Sequence, residues 1–223
     1  MKRIFIQLMV VAIIATGIFA ACEKDPGNNS GDGNDNNDTY TTGSFVIEAT
    51  NVIGGQSKIA TVKAYLYRDA PYGKDLIATG KYEKGGFKIA LPDSIDSKYL
   101  IDAIDCESYT GGEISDKNAK FTPLEYFVLL AYDQAGNEIG YFYYCGEKSD
   151  LSANGYAYYV FADRNFRIWG TDGDEYVTCN FKKGWNIVYY YNYQVSFGSW
   201  SDLTTDANLD IPMKWQYKEN EKK

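Results

Sequence analysis

GWNIVYYYNYQVSFGSW, residues 184–200, sets four tyrosines within five positions and a tryptophan near either end. A period of two sorts it cleanly. Trp185, Ile187, Tyr189, Tyr191, Tyr193, Val195 and Phe197 fall on one side, all of them apolar or aromatic. Asn186, Val188, Tyr190, Asn192, Gln194 and Ser196 fall on the other, which is mostly amide and hydroxyl. The stretch therefore reads as a β-strand that gives Trp185, Tyr189, Tyr191 and Tyr193 to a core, with each phenol hydroxyl at an edge or in a buried hydrogen bond. Tyr190 is different, because it shares its face with Asn192, Gln194 and, further back, Asn186. An aromatic plane beside amides is what a sugar ring needs, stacking on one side and hydrogen bonds on the other. The same composition also suits an ordinary solvated sheet face.

The strand before it carries the same code. Val177, Cys179 and Phe181 alternate with Tyr176, Thr178 and Asn180, and Lys182-Lys183-Gly184 suits a turn closed by a left-handed glycine. A hairpin there opposes Phe181 to Trp185, Cys179 to Ile187 and Val177 to Tyr189, with Cys179 a small core residue. Alternation recurs at 45–50, 59–67, 76–82, 86–91, 127–132, 139–145, 156–162, 165–169 and 212–217. In two of these runs Tyr141 and Tyr143 alternate with Phe142 and Tyr144, and Tyr156 and Tyr158 with Tyr159 and Phe161. Rings on both faces predict central or domain-covered strands rather than exposed platforms.

No segment sustains a helical period, so the fold class is all-β. The expected organisation is two small antiparallel domains: a β-sandwich over 44–117, then a second sandwich or partly open barrel over 118–223, joined by the polar passage 107–120. Within the first, LIATGKYEKGGFKIALP, residues 76–92, resembles the transthyretin-like or carboxypeptidase-regulatory-like β-sandwich of Bacteroidetes envelope proteins. That resemblance implies a spacer, stalk or accessory module and no particular activity. KKGWNIVY, residues 182–189, is similar to a turn in uncharacterised Bacteroidetes lipoproteins.

At the N-terminus Met1-Lys2-Arg3, the apolar run 8–15 and Ala20-Ala21 make the three parts of a secretory signal, 1–21. The apolar run is interrupted too early for a spanning helix of about 20 residues. Phe19-Ala20-Ala21-Cys22 resembles the bacterial lipobox, which implies acylation of Cys22 and attachment to the membrane through it. Residues 23–38 carry no large apolar side chain, so 22–43 is expected to be a flexible acidic tether. Its acids directly after Cys22 resemble the export signal of Bacteroidetes surface lipoproteins. That implies an outer-membrane protein facing the cell surface, with the periplasmic side as the alternative. Asp93-Ser94-Ile95 resembles a Bacteroidetes O-glycosylation acceptor, with Ser94 carrying the glycan.

The chain has 22 Lys and Arg, 30 Asp and Glu, and no histidine. Loss of Lys2 and Arg3 with the signal leaves a net charge of about −10, which argues against nucleic acid as a partner. Without histidine there is no Ser-His-Asp or Cys-His catalysis and no imidazole metal site, and nothing calls for a cofactor. A carboxylate-pair glycosidase is the one enzyme class left open. Once Cys22 is acylated, Cys106, Cys145 and Cys179 allow either one disulfide and a thiol or three thiols. Trp169 and Trp200 lie at strand ends, where ligands are commonly met. Asp172, Asp174 and Glu175 could offer oxygens to calcium, but Asp-Gly is also the commonest hairpin turn signal and that reading is preferred. The expected function is a lipid-anchored, non-catalytic binding or accessory protein of the envelope. Its expected ligand is a glycan or host-surface polymer, bound through Tyr190, Asn192, Gln194, Trp169 and Trp200. An adhesion-stalk or fimbria-associated subunit is the alternative.

Overall fold

A computed structural model describes residues 45–55, 57–68, 73–106, 113–196 and 198–220. The signal, Cys22 and the tether lie outside the described residues, as do Gly111-Gly112 and the side chain of Asp172. Among the described residues there is no α-helix. The first half supplies β1 (Phe45–Ala49), β2 (Thr61–Arg68), β3 (Gly73–Glu83), β4 (Gly86–Leu91), β5 (Ile101–Asp102) and β6 (Glu113–Ile114). The second supplies β7 (Lys120–Phe121), β8 (Phe127–Tyr132), β9 (Glu138–Glu147), β10 (Ala153–Ala162) and β11 (Phe166–Asp172). Then come β12 (Glu175–Phe181), β13 (Gly184–Val195), β14 (Gly198–Thr204) and β15 (Met213–Glu219). The 3₁₀ turn Leu124–Tyr126 leads into β8.

These strands join into one hydrogen-bonded network in the order β1-β4-β3-β2-β8-β9-β10-β13-β14-β12-β11-β6. The network crosses the expected boundary between residues 117 and 118, because β2 pairs along β8 from Thr61↔Tyr132 to Leu66↔Phe127. The core crosses it as well. Ile47, Val62, Leu66, Phe87 and Ile89 from one half pack in one cluster with Phe142, Tyr159, Trp185, Tyr191 and Trp215 from the other. Burying each such side chain is worth about 1.5–3 kcal/mol, so this cluster stabilises both halves together. The Trp185 indole N–H also donates to the Pro92 carbonyl at 2.8 Å, tying β13 to the end of β4.

The passage 107–120 is likewise more than a connection. Its described part pairs as β6 with β11 and as β7 with both β5 and β10, because Ile114, Ala119 and Phe121 are apolar and enter a second core.

The expected hairpin between β12 and β13 does not form as a pair. β13 is bonded to β10 along one edge and to β14 along the other, while β12 lies between β11 and β14. β14 folds back and inserts between the two, running parallel to β12, so the sheet is mixed rather than purely antiparallel. Val177, Cys179 and Phe181 therefore pack with Val188 and Val160 in the second core, away from Trp185 and Tyr189. The 182–184 connection is closed by Asn186. Its amide N–H₂ donates to the carbonyls of Lys182 (2.8 Å) and Gly184 (2.9 Å), and its Oδ1 accepts from the Lys182 N–H (2.9 Å). Gly184 has φ of +98°, as that turn requires.

Candidate functional site

Both faces of β13 carry aromatic residues, but they meet different neighbours. On the core face Trp185, Tyr189 and Tyr191 are buried; the Tyr191 hydroxyl accepts from the Asn208 backbone N–H (2.7 Å), and the Tyr193 hydroxyl accepts from the Asn208 side chain (3.0 Å). Tyr193 stacks on Trp200 at 3.9 Å and 12°, and Trp200 meets Tyr176 edge-on at 5.7 Å. Trp169 is paired with Thr178 and so belongs to the same side as Tyr176, under the Arg167 guanidinium at 5.2 Å. Tyr190 pairs with Leu203 and Tyr156, on the opposite side. The five residues expected to share one surface are thus divided: Tyr190, Asn192 and Gln194 on one face, Trp169 and Trp200 on the other. The cause is register, since Tyr193↔Trp200 fixes Trp200 to the odd-numbered face of β13.

Asn186 also leaves the set, because it is buried and its amide is spent on the turn. Asp174 and Glu175 belong to the β11–β12 hairpin, where Gly173 has φ of +58° and the Asp174 carbonyl accepts from the Ser201 N–H. Among the described residues no three metal-binding side chains converge. Ser94 is exposed just after β4. Cys145 and Cys179 are buried thiols, and burial pushes the Cys179 thiol up to about 12, so it is unreactive at neutral pH.

The face that keeps Tyr190 continues across β10 and β9. Register places Tyr156 beside Tyr190 and Cys145 beside Tyr156, so Tyr158, Tyr143 and Tyr141 share that side. Tyr143, Tyr156, Tyr158 and Tyr190 are half-buried, and Tyr141 is 36% exposed. The strands expected to be central or domain-covered at 139–145 and 156–162 are central; on this side Cys145, Val160 and Ala162 are buried, while Tyr141 is exposed and Tyr143, Tyr156 and Tyr158 are partly exposed. Phe142 and Phe161 point to the core instead.

A break in the sheet deepens this face. β15 occupies one edge of β9 from Gly140 to Gly146, so β8 and β10 must share the other. β8 takes Glu138 to Phe142 and β10 takes Tyr144 to Glu147. The two strands part at Tyr143. Their divergence opens a cleft of about 610 Å³, with Tyr67, Val128 and Leu130 on one bank and Leu124 and Tyr158 on the other. Tyr141 and Tyr143 stand at its apex, their rings 5.8 Å apart, and Tyr159 and Trp215 of the main core also line it.

The walls are held by polar contacts that leave the rings in place. The Tyr143 hydroxyl donates to Gln216 Oε1 at 3.1 Å, and the Tyr65 and Tyr132 hydroxyls lie 3.0 Å apart behind the first bank. Lys74 Nζ donates to Glu138 Oε2 at 2.8 Å and stands 5.7 Å from the Tyr67 ring, and the Glu138 contact raises the lysine's pKa. Burial pushes the Tyr143 phenol up to about 12, and burial likewise raises Tyr156 and Tyr158. All three stay protonated at neutral pH and offer neutral hydroxyls beside apolar ring faces.

Comparison with protein-family models, with curated proteins and with solved structures finds no match to this chain. The site therefore rests on its geometry. Tyr141, Tyr143, Tyr156 and Tyr158 were missed in the sequence because rings on both faces suggested cover on both. A signal was available: every aromatic residue at the outward positions of 141–145 and 156–160 carries a hydroxyl, whereas the phenylalanines lie inward.

Proposed function

We propose that this chain is an exported, lipid-anchored envelope protein that binds a glycan without transforming it. The observation that carries the reading is a row of tyrosines on one face, Tyr141, Tyr143, Tyr158, Tyr156 and Tyr190, of which Tyr141, Tyr143 and Tyr158 line the cleft where β8 and β10 part. A pyranose has an apolar face and a hydroxylated rim. The tyrosine rings match the first, while Asn154, Asn192 and Gln194 beside them match the second. Binding of soluble polysaccharides to the full chain, with Cys22→Ser to leave out any lipid, tests this. Tyr158→Ala should weaken binding at least tenfold without altering the circular dichroism. No binding to any polysaccharide, or undiminished binding by Tyr158→Ala, would sink the reading. Palmitate labelling that is lost in Cys22→Ala tests the anchor, and protease shaving of intact cells tests surface exposure.

A structural role in assembly is the second reading, and one observation favours it. Among the described residues β1 is paired only with β4, which leaves its outer edge available to a partner strand. A chain that stays monomeric in sedimentation at high concentration would count against it. Glu125 and Glu138 both line the cleft, so a hydrolysis assay on any bound polysaccharide belongs beside the binding measurement.

A further inference from the structure

The tyrosine row is flanked by Lys214 and Lys218, which make no ion pair among the described residues. β15 runs beside β9 with Lys214 opposite Cys145, Gln216 opposite Tyr143 and Lys218 opposite Tyr141, so both lysines share the open face and bracket the apex of the cleft. In a chain with 30 acids and 22 bases, three other strand lysines find carboxylates. Lys88 pairs with Glu48 at 3.3 Å, Lys74 with Glu138 at 2.8 Å, and Lys120 with Asp102. Lys214 and Lys218 have no such partner among the described residues. Both are half-buried, which suits a lysine whose stem covers apolar surface while its ammonium stays in water.

We propose that the ligand of this cleft is an acidic polysaccharide whose uronate carboxylates are taken by Lys214 and Lys218 while its rings stack on Tyr141, Tyr143 and Tyr158. This deepens the glycan reading and rests on it. Charge complementarity supports the choice. Around the cleft Lys63, Lys74, Lys214 and Lys218 face Glu125, Glu138 and Glu147, and Glu138 is already neutralised by Lys74. The site is thus locally cationic on an acidic chain. The remaining acids act weakly here, because exposed charges beyond about 8 Å are screened at physiological salt. Four residues of strand separate the two lysines by about 13 Å at roughly 3.3 Å per residue, so they address different sugar units of one chain. Each ammonium is a flexible point charge, suited to a carboxylate that varies in position along a polymer.

The test compares polygalacturonate with the same polymer after carboxyl reduction, using the full chain carrying Cys22→Ser. Tighter binding of polygalacturonate by tenfold or more, lost as salt rises and lost in Lys214→Ala/Lys218→Ala, is the expected result. The double variant should keep its affinity for the reduced polymer, which separates a charge role from damage to the fold. Equal affinity for the two polymers overturns the inference and leaves the glycan reading standing. A double variant that weakens both polymers alike overturns the assignment of the lysines. Failure of both polymers to bind overturns this inference together with the reading beneath it.

Discussion

At the scale of single residues, alternation placed Tyr190, Asn192 and Gln194 together on one face of β13 but did not single out the tyrosines that stand beside them on β10 and β9. The difference is physical. Alternation within a strand tells which side chains share a face, but whether a face is covered depends on strands far away in the chain. Tyr158 tests the site, because it forms one bank of the cleft and touches the row that ends in Tyr190. Tyr158→Phe keeps the ring and removes one hydroxyl, so affinity for a bound glycan should fall by a few-fold. Tyr158→Ala removes the stacking surface as well and should cost about 2 kcal/mol, measured by calorimetry. Equal losses in the two variants would mean that the ring does not stack. Gly155 tests the core in the same way. A Cβ there would lie 2.7 Å from the ring of Tyr191, which is only 1% exposed and pinned through its hydroxyl by Asn208. Gly155→Ala should therefore lower stability by about 1–3 kcal/mol, read from the urea midpoint.

At the scale of elements, the strands were legible and their neighbours were not. The hairpin expected across Glu83-Lys84-Gly85 forms because its turn is local: Lys84 and Gly85 have positive φ, and Glu83 itself already pairs with Gly86, beside Tyr82↔Phe87. The β12–β13 connection looked as local, yet β14 comes from later in the chain to separate the two strands. Short-range turn chemistry has no term for a strand that inserts afterwards. What holds the connection in its unpaired form is Asn186, whose amide satisfies three backbone groups of the turn. Asn186→Ala leaves those part-buried groups without their partner and should cost about 1 kcal/mol in denaturant unfolding. Asn186→Asp keeps the acceptor for the Lys182 N–H and loses both donations, so its loss should be of similar size. A neutral effect of both substitutions would mean that the turn is set by Gly184 alone.

At the scale of the whole molecule, the shared core and the 21 tyrosines of the chain make stability sensitive to alkali. Because Phe87 and Ile89 pack with Phe142 and Trp215 across the midpoint of the chain, unfolding should follow one transition by fluorescence and by circular dichroism. Burial pushes the phenols of Tyr143 and Tyr144 up to about 12, and raises those of Tyr159 and Tyr191 as well. In the unfolded chain the same groups ionise near 10. Above that value the unfolded state sheds protons that the folded state still holds, so proton loss favours unfolding. The stabilisation contributed by these phenols is therefore complete below about pH 10 and is lost as the pH climbs towards about 12. Lys74, whose pKa is raised by Glu138, changes in the same direction. Urea midpoints should accordingly fall between about pH 10 and about pH 12, with tyrosinate absorbance rising in step with the loss of structure. Tyr144→Phe removes one of these ionisations from the core and should make the fall shallower. A urea midpoint that stays level across that window would mean that the core phenols ionise in the folded protein as readily as in water, which their burial forbids.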